Sequence, residues 1–199
     1  YNEDTLAEAL IILEEGGIVA HATETCYGLA CDLQNKRAVS KLFAIKDRPA
    51  DQPVSGLFAS LEQAEVYTEW IAAAYDIAHD NLPGPITIIV PIKPECVSEI
   101  FPCPNPDDSP TLGIRISPDP VAMELVTRFG QPLTTTSANV HGQPNPFSAS
   151  EVAKQYQGLG LAPDLILDSG TIDSDTASTV VEVLNGQINV LREGPIKLT

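Results

Sequence analysis

Positive charge is scarce in this sequence. Lysine and arginine number 11 against 27 aspartates and glutamates, a formal net charge of −16. Such a chain repels a polyanion at long range unless its few cations gather on one surface. Direct binding of tRNA or double-stranded RNA is therefore disfavoured. Cysteine is scarce as well: Cys26, Cys31, Cys96 and Cys103 form no C-x-x-C pair, and their spacings fit no zinc template. Four thiols in 199 residues make no disulfide framework, so the expectation is free cysteines in a cytoplasmic protein. No apolar run reaches the length of a bilayer span, and the opening YNEDTLAEAL carries acids where a secretory leader is basic. The common catalytic and nucleotide signatures are missing too: no G-x-x-x-x-G-K-[ST], no G-x-G-x-x-G after a strand, no G-x-S-x-G and no H-E-x-x-H. No resident metal site is expected.

What is present fits one globular domain over residues 1–199, with 43% hydrophobic and 19% charged residues. Asn2 or Asp4 can cap a helix in TLAEALIILEE, with Leu6, Leu10 and Leu13 on one stripe and Gly16-Gly17 as the stop. Asn35 caps KRAVSKLFAIK, and Ser60 with Gln63 suggests a capping box for LEQAEVY. Further helices are expected in EWIAAAYDIAHD, DPVAMELVTRFG and SASEVAKQY. Strands are expected at Ile18–Ala20 and in PVSGLF, ITIIVPI, TLGIRIS, PLTTTSAN, DLILDSG, STVVEVLN and INVLREG. Six prolines between 91 and 110 mark a long surface loop. Helices and strands mix without strict alternation, which points to an α/β fold with a mixed twisted sheet.

A few residues invite chemistry. In HATETCYGLACD, extended alternation sends Thr23 and Thr25 one way and Glu24 the other, either as a site or as ordinary turn chemistry. In TLGIRIS, Leu112, Ile114 and Ile116 share one face and leave Thr111, Gly113 and Arg115 on the other. A guanidinium beside a hydroxyl suits bidentate capture of a carboxylate or phosphate, and equally a structural pair with an acid. Arg192 repeats the pattern after a later strand, and Lys46 and Arg48 flank Asp47 at a helix end. TTTSANVHGQPNP offers hydroxyls and backbone amides to an anion, or makes a polar turn.

Seven pieces in order, TETCYGLACD, KDRPADQP, LPGPITIIV, TLGIRIS, TTTSANVHGQP, STVVEV and LREG, resemble the YrdC-type family of threonylcarbamoyl-adenylate synthases. The length resembles the short form without an extra C-terminal domain. The resemblance implies a YrdC-like twisted sheet flanked by helices, with a large open, positively charged cavity. The implied reaction joins ATP, L-threonine and bicarbonate into threonylcarbamoyl-adenylate and pyrophosphate, with Mg²⁺ on the triphosphate, for a tRNA modification completed by partner proteins. Thr23, Thr25, Arg115, Thr135 and Ser178 match threonine contacts. Lys46, Arg48, Gln52, Thr111, Ser137, Asn145 and Arg192 match positions facing ATP, and Lys46, Arg48 and Arg115 carry the catalytic charge. The chain departs from the family at Ala22, where proline is usual, at Leu57, where some members are polar, and at NVHG with His141. Two other readings stay open: an RNA-binding regulator without synthase activity, and a relative handling carbamoyl-adenylate.

Overall fold

The computed structural model describes residues 1–47, 54–98, 110–174 and 176–198. Helix α1 (Glu3–Glu14) begins where Asn2 and Thr5 cap each other: the Thr5 amide donates to Asn2 Oδ1 at 2.9 Å, and the Asn2 amide to Thr5 Oγ1 at 2.9 Å. Its buried stripe is Leu6, Ala9 and Leu13, with Leu10 only partly covered. Asn35 opens α2 (Lys36–Lys46) by accepting from the Arg37 and Ala38 amides. Ser60 caps α3 (Leu61–Tyr67), but the expected box closes differently: Gln63 Oε1 accepts from the Ala59 amide at 2.8 Å. Asp119 and Pro120 start α5 (Pro120–Phe129), between α4 (Ala72–Asn81) and α6 (Ala149–Tyr156). All six expected helices are present, and Pro94–Cys96 adds a 3₁₀ turn to the proline-rich loop.

Among the described residues nine strands form one sheet: β1 (Val19–His21), β2 (Gly28–Ala30), β3 (Ser55–Leu57), β4 (Ile86–Pro91), β5 (Thr111–Arg115), β6 (Leu133–Ser137), β7 (Leu165–Ile166), β8 (Thr179–Leu184) and β9 (Gln187–Arg192). Their order is β7-β1-β2-β6-β3-β5-β4-β8-β9, with parallel and antiparallel neighbours mixed. The expected first strand lies one residue later than read. β2 was not expected, because three residues led by a glycine show no period and carry little strand preference. It exists because β1 and β6 pair with it on both sides.

Cross-strand register sorts the side chains into two faces. One face carries Ala20, Leu29, Gly56, Ile88 and Ile114 and packs under α2, α3, α4 and α6 in the larger apolar cluster. The other changes character along its length. Val19, Ala30, Leu133 and Leu57 lie under Leu13 of α1 and Leu125 and Val126 of α5, forming a second cluster. Each such leucine contributes about 1.5–3 kcal/mol by burial. Two residues along the same strands, the face presents His21, Gly28, Thr135 and Ser55 instead. The second helical layer therefore covers only the apolar part of this face.

Pairing directions make β7 and β8 parallel to each other, although they lie near opposite edges of the sheet. Residues 167–178 join them. This connection is pinned early by Tyr27, whose hydroxyl donates to Gly170 O at 2.8 Å and accepts from the Ser169 amide at 3.0 Å. It is pinned late by the Thr179 amide on Pro85 O at 2.9 Å.

Candidate functional site

The uncovered part of the sheet face is a cavity of about 270 Å³. Its floor runs across Gly28, Thr135, Ser55, Thr87 and Arg115, contributed by five strands, and reaches Arg192 of β9. Gly113 lies within that floor, and its missing side chain is required: a Cβ there would come 2.6 Å from Ser55 Oγ and 2.9 Å from Thr87 Cγ2. The alternation read from TLGIRIS holds, because Leu112 and Ile114 belong to the opposite face's core.

The β1–β2 turn forms one wall. Thr23 Oγ1 donates to Cys26 O at 2.7 Å and accepts from the Thr25 and Cys26 amides at 3.2 Å each. With that proton spent, the 3.1 Å contact between the two threonine hydroxyls has Thr25 as donor. Both threonines line the cavity, so turn chemistry and site lining turn out to be the same feature. Glu24, between the two threonines, meets Arg115, with Ser117 donating to its second oxygen. Arg115 is thus a buried ion-pair partner and a cavity wall at once.

Arg192 forms the far wall. Its Nε donates to Ser178 O and an Nη to Ser178 Oγ, both at 2.9 Å, while Ser178 Oγ lies 3.1 Å from Thr87 Oγ1. Burial, and then the nearby Arg115, hold the Arg192 guanidinium below its ordinary range. Two cations facing one small cavity suit an anionic ligand. Burial pushes the Cys26 thiol up despite Arg115, and Cys31 up to about 12, so neither is a thiolate at neutral pH.

Of the residues singled out from sequence, Thr23, Thr25, Arg115, Thr135, Ser137, Asn145, Ser178 and Arg192 line this one cavity. Arg48 and Gln52 lie outside the described residues. Thr111 begins β5 and is not among the described lining residues. Nor is Lys46, which is 4% exposed and stands behind Ser137. Its ammonium donates to Ser137 O, to Asn139 O at 3.0 Å and to Asn139 Oδ1 at 3.2 Å. Asn139 also accepts from Ser137 Oγ and donates to Gln143 O at 2.6 Å, so it organises the whole turn after β6. Sequence reading passed over Asn139, although its place two residues after Ser137 on a strand end was a usable signal. His141, exposed, donates its amide to Lys46 O at 2.8 Å and so ties this turn to α2.

His21 lies next to the cavity on the same strand row. It is fully buried; Nδ1 donates to Ala22 O at 2.8 Å, and Nε2 has no partner among the described residues. Burial lowers its pKa, opposed by the Ala22 bond and Asp119 and reinforced by Arg115. A histidine neutral when folded and titrating near 6.5 when unfolded binds more protons in the unfolded state. Its contribution is therefore fully present above about pH 6.5 and is lost as pH falls below it, by up to ~1.4 kcal/mol per pH unit. Urea unfolding at pH 7.5, 6.5 and 5.5 should show this slope in the wild type and a flatter one in His21→Phe.

Comparison with known proteins adds the following. The Sua5/YciO/YrdC family model, described as "Telomere recombination", matches residues 11–194. A threonylcarbamoyl-AMP synthase of Pyrococcus abyssi is 33% identical over 187 residues, covering 94% of this chain and 53% of that protein. One from Idiomarina loihiensis is 33% identical over 175 residues, covering 86% of this chain and 90% of that protein. The solved structure of Pyrococcus abyssi Sua5 complexed with L-threonine superposes with a TM-score of 0.86 at 32% identity, over 97% of this chain and 55% of that one. The chain thus spans about half the length of the Pyrococcus abyssi relative and nearly all of the Idiomarina loihiensis one.

Proposed function

The chain belongs to the Sua5/YciO/YrdC family, and from that premise we propose that it synthesises L-threonylcarbamoyladenylate from ATP, L-threonine and bicarbonate, releasing pyrophosphate. The observation that carries the reading is the pair Arg115 and Arg192 facing one hydroxyl-lined cavity in a chain of net charge −16. Arg115 is assigned the threonine carboxylate, with Thr23, Thr25, Thr135 and Ser178 around the amino acid. Arg192, Ser137 and Asn145 are assigned the nucleotide, and by the family resemblance so are Lys46, Arg48, Gln52 and Thr111.

The chemistry asks little of the protein beyond placement. The threonine amine and bicarbonate give a carbamate, whose oxygen attacks the α-phosphorus as pyrophosphate leaves. No protein nucleophile is needed; positioning and cationic stabilisation of phosphate charge supply the rate, with Arg48 assigned the phosphate charge, Arg115 the carboxylate, and Lys46 the holding of the Ser137 turn through its bonds to Ser137 O and Asn139. The cavity of about 270 Å³ bounded by the described residues holds the amino acid and the reacting phosphate in this reading. Among the described residues no cluster of three or more His, Cys, Asp or Glu could hold a metal ion. Mg²⁺ in this scheme arrives on the triphosphate, which is its usual carriage.

Residues 1–199 as a single domain, a cytoplasmic setting and hand-over of the product to tRNA-modification proteins belong to the same proposal. No helix among the described residues is long and apolar enough to cross a membrane. The test is pyrophosphate release from ATP. It should require both threonine and bicarbonate, and release that is indifferent to threonine would overturn the reading.

A further inference from the structure

Strand β9 is an edge of the sheet, with β8 as its one neighbour among the described residues. All six of its residues are exposed. Of the nine large hydrophobic residues exposed among the described residues, three fall within it: Ile188, Val190 and Leu191. Sheet edges are ordinarily guarded by lysine, proline, an inward charge or extreme shortness. The opposite edge obeys that rule, since β7 has two residues. β9 does not, because residues 183–191, VLNGQINVL, contain neither charge nor proline. The register shift at Val180/Val181 lies toward the Arg192 end and leaves 187–190 regular.

The hairpin decides which backbone groups of β9 are free. Asn185 and Gly186, both at positive φ, make a two-residue turn, whose closing bond runs from the Gln187 amide to Leu184 O. Bonded and non-bonded pairs alternate from there. Gln187 and Asn189 therefore bond to β8, while Ile188 and Val190 turn their N–H and C=O groups outward. Their side chains lie opposite Val183 and Val181, on the face of the larger apolar core. A second β9 running antiparallel can set Ile188 of one copy against Val190 of the other. Each such pair exchanges both of its backbone bonds. The aliphatic side chains then cluster on one face, and Asn189 meets Asn189 on the two-fold axis.

Charge selects the occupant. In a chain of net charge −16, most surfaces repel their own copies, but this register sets no charged residue against another. The nearest facing acids, Glu182 beside Asn189 and its copy, stand three strand spacings apart, about 14 Å. That exceeds a Debye length of about 8 Å. We propose that β9 is the interface of a two-fold dimer, in which a second copy of this chain continues the sheet by antiparallel β9–β9 pairing. Ile188, Asn189 and Val190 do not line the cavity, so the proposal stands apart from the synthase reading. One six-residue strand gives a pairing about 20 Å long. Such a contact belongs with small interfaces, below about 1,200 Å², and a dimer that dissociates at micromolar concentration is expected.

Sedimentation equilibrium from about 1 to 300 µM should carry the wild type from monomer to dimer. Val190→Lys sets a cation against Ile188 of the other copy, and Ile188→Pro removes an outward N–H that β8 does not use. Each should raise the dissociation constant at least about 30-fold, with circular dichroism unchanged. Asn189→Cys reads the register, because its two copies would lie about 4.5 Å apart between Cα atoms, within disulfide range. Mild oxidation should give a cross-linked dimer on a non-reducing gel. The wild type and Gln187→Cys, two residues from the axis, should give little. A monomer at every concentration overturns the proposal. So does a dimer unchanged in Val190→Lys and Ile188→Pro with no Asn189→Cys cross-link, which puts the interface elsewhere. Equal cross-linking of Gln187→Cys and Asn189→Cys overturns the register.

Discussion

Arg115→Ala is expected to raise the L-threonine requirement by about 30-fold or more while moving the ATP requirement little. Truncating one side of a buried charged pair costs roughly 2–5 kcal/mol, and 1.4 kcal/mol is a decade in affinity. Arg115→Lys should recover only part of the loss, since an ammonium is a point charge where a guanidinium offers a fork. The Glu24 pair complicates the reading, because Arg115→Ala also strands a carboxylate that is mostly buried, with 15% side-chain exposure. Glu24→Gln separates the two effects: it removes the ion pair, keeps an acceptor for Ser117, and leaves the guanidinium in place. Losing the pair this way should lower stability by as much as ~3–5 kcal/mol while threonine affinity stays within a few-fold. Should Arg115→Ala lose stability to the same degree with unchanged threonine binding by calorimetry, Arg115 is a structural partner of Glu24 and no clamp.

Lys46→Met should cost about 3 kcal/mol or more. Hydrogen bonds to a charged donor are worth about 1.5–3 kcal/mol each, and this ammonium serves Ser137 O, Asn139 O and Asn139 Oδ1 together. For a domain of this size that corresponds to a fall in Tm of roughly 6–12 °C. Methionine keeps the length and apolar stem, so the loss reads the charge rather than the packing. The turn carrying Ser137 and Asn139 should loosen with it, and the apparent KM for ATP should rise more than that for threonine. A Tm within 2 °C of the wild type would show that the β6 turn holds itself without the ammonium.

Five of the six described helices have ends written locally, while α4 starts at Ile71 without a side-chain cap and was legible from its apolar pattern. Asn2, Asn35, Ser60, Asp119 and Ser148 each bond backbone amides two or three residues on, so cap and stripe together locate the element. β2 was not legible, since its three residues are strand only by virtue of partners supplied from β1 and β6. The site divides in the same way. The alternation in TLGIRIS correctly put Arg115 opposite the core face, but its partner Glu24 lies 91 residues away, and nothing local relates the two. Ser55 and Thr87 are single hydroxyls in otherwise ordinary strands, and only the sheet order turns them into cavity floor. Resemblance supplied Thr135 and Ser178, which spacing alone left as turn or strand-end residues, whereas Arg192 stood out already as a repeat of the Arg115 pattern. Resemblance supplied Asn145 also, but not Asn139, whose importance lies in the hydrogen bonds it collects.

The connection from β7 to β8 gives the sheet something like a fixed-length tie. Seven strand-to-strand steps separate these two strands, about 34 Å across a flat sheet at ~4.8 Å each. Twelve residues, 167 to 178, have to cover that distance, and thirteen Cα steps reach about 43 Å when nearly extended. On that flat-sheet figure the slack is about two or three residues, and twist of the sheet adds to it. Because Ala177 and Ser178 at its far end are cavity wall, chain length here bears on how wide the cavity can be. Removing three residues from this segment would bring its reach to or below the span, so the sheet would have to curl or β7 detach. Added residues relax that limit without touching a single side chain of the site. Insertions and deletions at this one connection would thus change the width available to this cavity.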